Sequence, residues 1–169
     1  RLIGRVCELP TGVSIVSLAA AMSAWDVATA SSVSPDQWAA LGDQLVQAAL
    51  AAGQDGVEVP ATVDYLVGWA YRRGNHPEEA AAAFLGSADA GVMTEESLAM
   101  AADALSSINS NATRDTLVRA LNQFPDGRWW RRHALQLARL DGRLDSRWRD
   151  RLGVIPSTDP DRGAIDAVL

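Results

Sequence analysis

The chain has 169 residues and a mass of 18.0 kDa, which suits one domain with a substantial buried core. Hydrophobic residues make up 48% and charged residues 21%, a composition that excludes a disordered, collagen-like or coiled-coil chain. The net charge of −6 argues against a protein that coats nucleic acid or an anionic membrane with its whole surface.

Turn residues divide the sequence into short segments with helical periodicity, and no segment alternates as a β-strand does. We therefore predict an all-α fold, an irregular array of seven or eight short antiparallel helices. A single domain is expected over residues 1–155, followed by a C-terminal tail at 156–169. The first helix is predicted from Ser14 to Ala30. The second begins after Ser34, a capping residue followed by Pro35, and ends at Gly53.

The central helices are predicted from apolar residues repeated at steps of three and four. One such helix begins at Val63 and ends at Gly74, and the next stops near Gly91, so the short turn between them makes the two helices antiparallel neighbours. Thr94 and Thr113 are predicted to cap the next two helices. A helix is expected from about 127 to 140 and a shorter one over 146–152, before a loop at 156–162.

Within this array, the hairpin over residues 63–90 resembles a tetratricopeptide repeat, a helix-turn-helix unit of 34 residues. The match rests on Gly68, Tyr71, Ala80 and Phe84, where small residues allow close helix packing and aromatic residues fill the space beside them. One unit is matched, since a step of 34 residues from Ala80 reaches Arg114. The resemblance implies a binding module that holds a peptide or protein. The alternative is that any compact antiparallel hairpin pairs small residues with aromatic ones.

Charge is unevenly distributed along the chain. Residues 1–113 contain 4 Arg and 13 acidic residues, whereas residues 114–151 contain 10 Arg and 5 acidic residues. All 15 basic residues are Arg, which excludes a lysine Schiff base and a phosphate-loop lysine. The lack of Lys and the 30 Ala are typical of a bacterial or bacteriophage coding sequence of high GC content.

The basic segment, residues 128–151, combines arginine with tryptophan. On a helical wheel Arg128, Arg132 and Arg139 lie on one side with Arg131 beside them, whereas Trp130 lies roughly opposite. Arg and Trp are enriched at protein interfaces, and Arg also binds phosphate. The predicted partner-binding residues comprise this segment and the region beside the hairpin: Arg128, Trp129, Arg131, Arg132, Arg139, Arg143, Trp69 and Tyr71.

Three hypotheses for this segment stay open. The first is a non-catalytic protein-protein contact made by an adaptor or structural subunit, including self-association of the chain. The second is a nucleic-acid-binding module that uses segment 128–151, with an exposed indole stacked on an unpaired base. The third is that the arginines form internal salt bridges while Trp129 or Trp130 packs inward.

No residue constellation predicts catalysis, a cofactor or a metal. His76 and Glu79 have a metal-like spacing, but Pro77 places His76 in a turn, and capping is the better role there. A single cysteine, Cys7, suggests a reduced compartment, so we expect a cytoplasmic protein. The apolar run 13–25 is too short for a membrane span. The sequence therefore predicts a non-enzymatic protein with a protein partner or a second copy of itself.

Overall fold

The computed structural model describes residues 14–29 and 32–169, and this part of the chain is α-helical. Cys7 and the turn at Ser31 lie outside the described residues. The helices are α1 (Ser14–Thr29), α2 (Pro35–Gln54), α3 (Thr62–Arg73), α4 (Pro77–Asp89), α5 (Thr94–Leu105), α6 (Ser110–Gln123), α7 (Trp130–Asp141), α8 (Ser146–Gly153) and α9 (Arg162–Asp166). The predicted all-α array is confirmed. Among the described helices, none has the length and apolarity that a bilayer crossing requires.

Within the series from α1 to α7, each helix packs chiefly against its neighbours in sequence. Side-chain hydrogen bonds also join alternate helices: the Tyr65 hydroxyl on α3 donates to Glu96 on α5 over 2.9 Å, and the Gln136 amide on α7 donates to Asp103 on α5 over 3.0 Å. On the other side, Arg119 of α6 pairs with Asp89 of α4 at 2.7 Å. Helices α3, α5 and α7 therefore form one layer, and α4 and α6 belong to the other.

The hairpin of α3 and α4 depends on a small residue placed against a large one. A Cβ atom added to Gly68 would lie 2.7 Å from the ring of Phe84, so only glycine admits this approach. The Phe84 ring is fully buried, and Ala80 is buried on the same helix. Tyr71 instead faces α2, where its ring fills the space above Gly42. Gly68 and Phe84 thus pack as their spacing predicted, whereas Tyr71 contacts α2 at Gly42. The assignment to a repeat family stays a prediction.

Several helix boundaries differ from the predicted ones. The Ser34 side chain accepts a hydrogen bond from the Gln37 N–H, as its position before Pro35 predicted. The predicted caps at Thr94 and Thr113 are wrong, because both residues lie inside their helices. Asn109 caps α6 instead, by accepting from the Ala112 N–H, and the residue before Thr94 makes no side-chain cap.

The C-terminal end adds a helix that periodicity did not predict. Ile165 of α9 is fully buried in a cluster with residues of α6, α7 and α8. Five residues are too few for a helix to be stable without tertiary packing. Residues 162–168 therefore pack on the array after the loop at 156–161.

Candidate functional site

The candidate site begins at the turn that precedes α7. The Trp129 N–H donates to the Glu95 carboxylate on α5 over 2.7 Å, which fixes the start of α7 against the first turn of α5. The carboxylate occupies the space where a side chain on Gly127 would lie. Helix α7 consequently begins at Trp130, three residues later than the predicted 127.

A groove of about 520 Å³ runs along α7 and α9. Its lining combines four guanidinium groups with polar and apolar side chains: Arg128, Trp130, Arg131, Arg132, Leu135, Gln136, Arg139, Asp161 and Ala164. The structure therefore brings together the four arginines that the helical wheel placed side by side. Trp130, predicted on the opposite side, lines the same groove.

Two of the four arginines are neutralised by carboxylates. The Arg131 guanidinium lies 2.9 Å from Asp159 and 3.4 Å from Asp161, both in the loop before α9. Arg132 pairs with Asp103, which also lies 3.5 Å from Arg72. The pKa of the Asp159 carboxyl lies below its usual value, chiefly because the Asp161 N–H donates to it and further because Arg131 is adjacent. These carboxylates balance the charge at the middle of the groove.

Arg128 and Arg139 have no carboxylate partner among the described residues. Arg128 lies 5.7 Å from the centroid of the Trp129 ring, and both guanidinium-bearing side chains are exposed. Eleven positions separate them along α7 and the turn before it. The two uncompensated charges therefore lie towards opposite ends of the groove.

The tryptophans of the segment are engaged within the protein. Trp130 stacks on Trp148 of α8 with centroids 6.0 Å apart, and Arg151 covers Trp130 at 4.1 Å. Trp129 packs against a cluster on α4 and α5, and the Arg132 guanidinium lies 5.4 Å from its ring centroid. Both indoles are half-buried rather than open to solvent.

The other predicted partner-binding residues lie outside the groove. Arg143 is exposed beyond the end of α7. Trp69 lies edge-on to Phe84 at 6.0 Å, whereas the Tyr71 hydroxyl donates to Asp43 on α2 over 2.8 Å. Burial and the bond to the carboxylate raise the pKa of Tyr71 above its usual value. Of the eight predicted residues, four arginines thus line the groove, whereas Trp129, Arg143, Trp69 and Tyr71 lie outside it.

His133, on the inner side of α7, is a residue to which sequence reasoning gave no role. It is fully buried, and neither ring nitrogen has a hydrogen-bond partner. Burial lowers its pKa from 6.5 to about 4, and the adjacent Arg132 acts in the same direction, against the opposing charges of Glu95 and Asp103. The imidazole is therefore neutral near pH 7. Its position among the apolar residues of the inward helix face was the signal available in the sequence.

The remaining polar candidates show no cluster suited to metal binding. His76 occupies the N-cap position of α4 but makes no side-chain cap, so the expected capping role is not fulfilled. Its Nδ1 lies 3.5 Å from the Glu79 carboxylate. Over residues 14–29 and 32–169, no three His, Cys, Asp or Glu side chains converge as metal ligands.

Comparison with protein-family models, with curated proteins and with solved structures gave no match for this chain. The groove and its charges are therefore the features from which a function can be inferred.

Proposed function

We propose that this protein is a non-catalytic protein-binding module, an adaptor or structural subunit, whose partner docks on the groove of α7. The observation that carries this proposal is the pair of uncompensated guanidinium groups, Arg128 and Arg139, in an open groove of about 520 Å³. A guanidinium binds a carboxylate through two parallel hydrogen bonds, which provide both energy and orientation. The partner surface is therefore acidic.

A second copy of the chain meets the same requirement, because residues 1–113 carry 13 acidic residues against 4 Arg. Self-association through this groove is one form of the proposed function. The tetratricopeptide-like hairpin belongs to the proposal as well, since such hairpins serve binding modules, and its support is the contact of Gly68 with Phe84. The single cysteine and the Arg- and Ala-rich composition support a bacterial or phage protein of the cytoplasm.

A protein partner is favoured over nucleic acid by the contents of the groove. A strand of nucleic acid brings one phosphate per nucleotide, and these phosphates would approach the carboxylates of Asp103, Asp159 and Asp161. Trp130 is already stacked on Trp148, so its ring does not serve an unpaired base.

Affinity capture with three forms of the protein tests the proposal. The immobilised chain, the variant R128E/R139E and the matched control R147E/R149E are exposed to an extract of the source cells, and retained proteins are identified and repurified. We expect one acidic protein to bind the unmodified chain and the control, with binding reduced at least tenfold by R128E/R139E. The control makes the same charge change on α8, outside the groove.

Three results would overturn the proposal. One is retention of the same proteins by all three forms. A second is recovery of no partner together with a monomeric chain in sedimentation analysis at high concentration. The third is oligonucleotide binding, measured by fluorescence anisotropy, that weakens steeply between two salt concentrations and is lost in both variants, which favours the nucleic-acid function.

A further inference from the structure

A short acidic segment of the chain itself borders the groove at Asp161. The Arg131 guanidinium lies 2.9 Å from both oxygens of Asp159 and 3.4 Å from Asp161. Backbone hydrogen bonds from Asp159 to Pro156 and from Arg162 to Asp159 fold this segment into consecutive turns. The loop thereby neutralises Arg131 with the protein's own carboxylates and leaves Arg128 and Arg139 unpaired.

We propose that the groove binds an extended acidic segment of the partner, with one carboxylate on Arg128 and a second on Arg139. This inference rests on the proposed function and specifies its ligand. Nine helical steps from Trp130 to Arg139 span about 14 Å at about 1.5 Å each, and Arg128 lies two turn positions before them. An extended chain covers a span of this order in about five residues at about 3.3 Å each. The ligand therefore carries two acidic residues about five positions apart.

The lining between these two arginines defines the middle of the ligand. Trp130, Leu135 and Ala164 contribute apolar surface there, whereas Arg131 and Arg132 are already paired with carboxylates. A third acidic residue in the middle would lie near Asp159 and Asp161 and would be repelled. An apolar side chain buries surface against this floor and is favoured. The expected pattern is acidic, apolar, acidic.

Fluorescence anisotropy with defined peptides tests this ligand. The probe is a labelled octapeptide, Gly-Asp-Ala-Ser-Leu-Ala-Asp-Gly, and its control has both aspartates replaced by asparagine. A charge-assisted hydrogen bond is about twice as strong as a neutral one, so we expect the control to bind at least tenfold more weakly. A peptide with its two aspartates adjacent is expected to bind at least threefold more weakly than the probe.

Protein variants assign the binding to the groove. R139E is expected to weaken the probe at least tenfold, whereas R149E, which makes the same charge change outside the groove, changes it less than threefold. D159N/D161N releases Arg131 from its internal partners, and we expect the probe to bind at least threefold more tightly. Circular dichroism and urea unfolding confirm that each variant is folded.

The outcomes separate this inference from the proposed function. If R139E and R149E weaken binding of the probe equally, the attraction is unspecific and the inference is overturned. If the aspartate and asparagine peptides bind equally, the carboxylates contribute nothing and the inference is also overturned. Tighter binding of an oligonucleotide that displaces the peptide also overturns it. If the peptide fails to bind while R128E/R139E still abolishes partner capture, the proposed function survives and the extended acidic ligand does not. If the peptide fails to bind and R128E/R139E leaves partner capture unchanged, both the inference and the proposed function are overturned.

Discussion

The hairpin of α3 and α4 and the C-terminal region from α7 to α9 are held together by different kinds of contact. In the hairpin, Gly68 admits the buried ring of Phe84, which also meets Tyr65 edge-on at 5.9 Å. In the C-terminal region, Arg131 and Arg132 join elements about thirty residues apart through carboxylates. Volume complementarity maintains the first region, whereas the second combines a buried apolar cluster with ion pairs between distant elements. Mutations in the two regions should therefore differ in magnitude and in salt dependence.

The largest effect is expected from Phe84→Ala. The ring is fully buried between α3, α4 and α5, so its loss leaves a cavity that rigid neighbouring helices fill poorly. We expect the free energy of unfolding to fall by about 3–5 kcal/mol, independently of salt. Urea unfolding at two salt concentrations measures this. Arg131→Ala in the charged region is the counterpart, with an expected loss below about 1 kcal/mol. Equal losses would contradict the distinction between the regions.

The next effect is a dependence of the free energy of unfolding on pH, which arises from His133 in α7. Burial holds the pKa of His133 at about 4, against 6.5 for an exposed imidazole. Below pH 6.5 the unfolded chain binds a proton that the folded chain rejects until about pH 4, so stability falls as the pH decreases through this interval. The full loss attributable to this residue is about 3 kcal/mol.

His133→Leu removes this group while retaining an apolar side chain of similar size. We expect the difference in unfolding free energy between the variant and the parent to grow by up to about 3 kcal/mol between pH 7 and pH 4, in favour of the variant. Urea midpoints across this pH range provide the measurement. A constant difference would show that His133 titrates normally in the folded state. Because carboxylates titrate in both proteins, only the difference between them reports on the imidazole.

A third prediction compares two glycine-to-alanine substitutions that should change the free energy of unfolding in opposite directions. Gly68→Ala places a Cβ atom 2.7 Å from Phe84, and that ring cannot move because Tyr65 and Trp69 enclose it. We expect a loss of about 1–3 kcal/mol. Gly53→Ala is the matched control, since its added Cβ meets nothing within 4 Å on exposed helix. The control is expected to gain about 0.5–1 kcal/mol from helix propensity. A gain at both positions would show that the hairpin is loosely packed.

A contact could be predicted from the sequence when its residues lie close together along the chain. The Ser34 cap, the Gly68–Phe84 contact and the side-by-side arginines of α7 depend on spacings shorter than one hairpin, and each was predicted. The start of α7 depends on a bond between Trp129 and Glu95, which are 34 residues apart. The carboxylates that pair with Arg131 and Arg132 are similarly distant. Periodicity carries no information on such contacts, so the groove's charge balance required the structure.

The smallest effect concerns Asp103, whose carboxylate contacts side chains of both α3 and α7. Its carboxylate accepts from Arg132 and from Gln136 and lies 3.5 Å from Arg72, so it joins α3, α5 and α7. Because both arginines are partly exposed, we expect Asp103→Asn to cost about 1 kcal/mol at low salt and less at high salt.

Glu58→Gln, in the exposed loop before α3, removes the same charge without a described partner and is expected to be neutral. Urea midpoints at 0.05 and 0.5 M salt, chosen on either side of a Debye length of about 10 Å, measure both variants. A cost for Asp103→Asn that is unchanged by salt would mean that packing of the side chain, and not its charge, orients α7 and hence the groove.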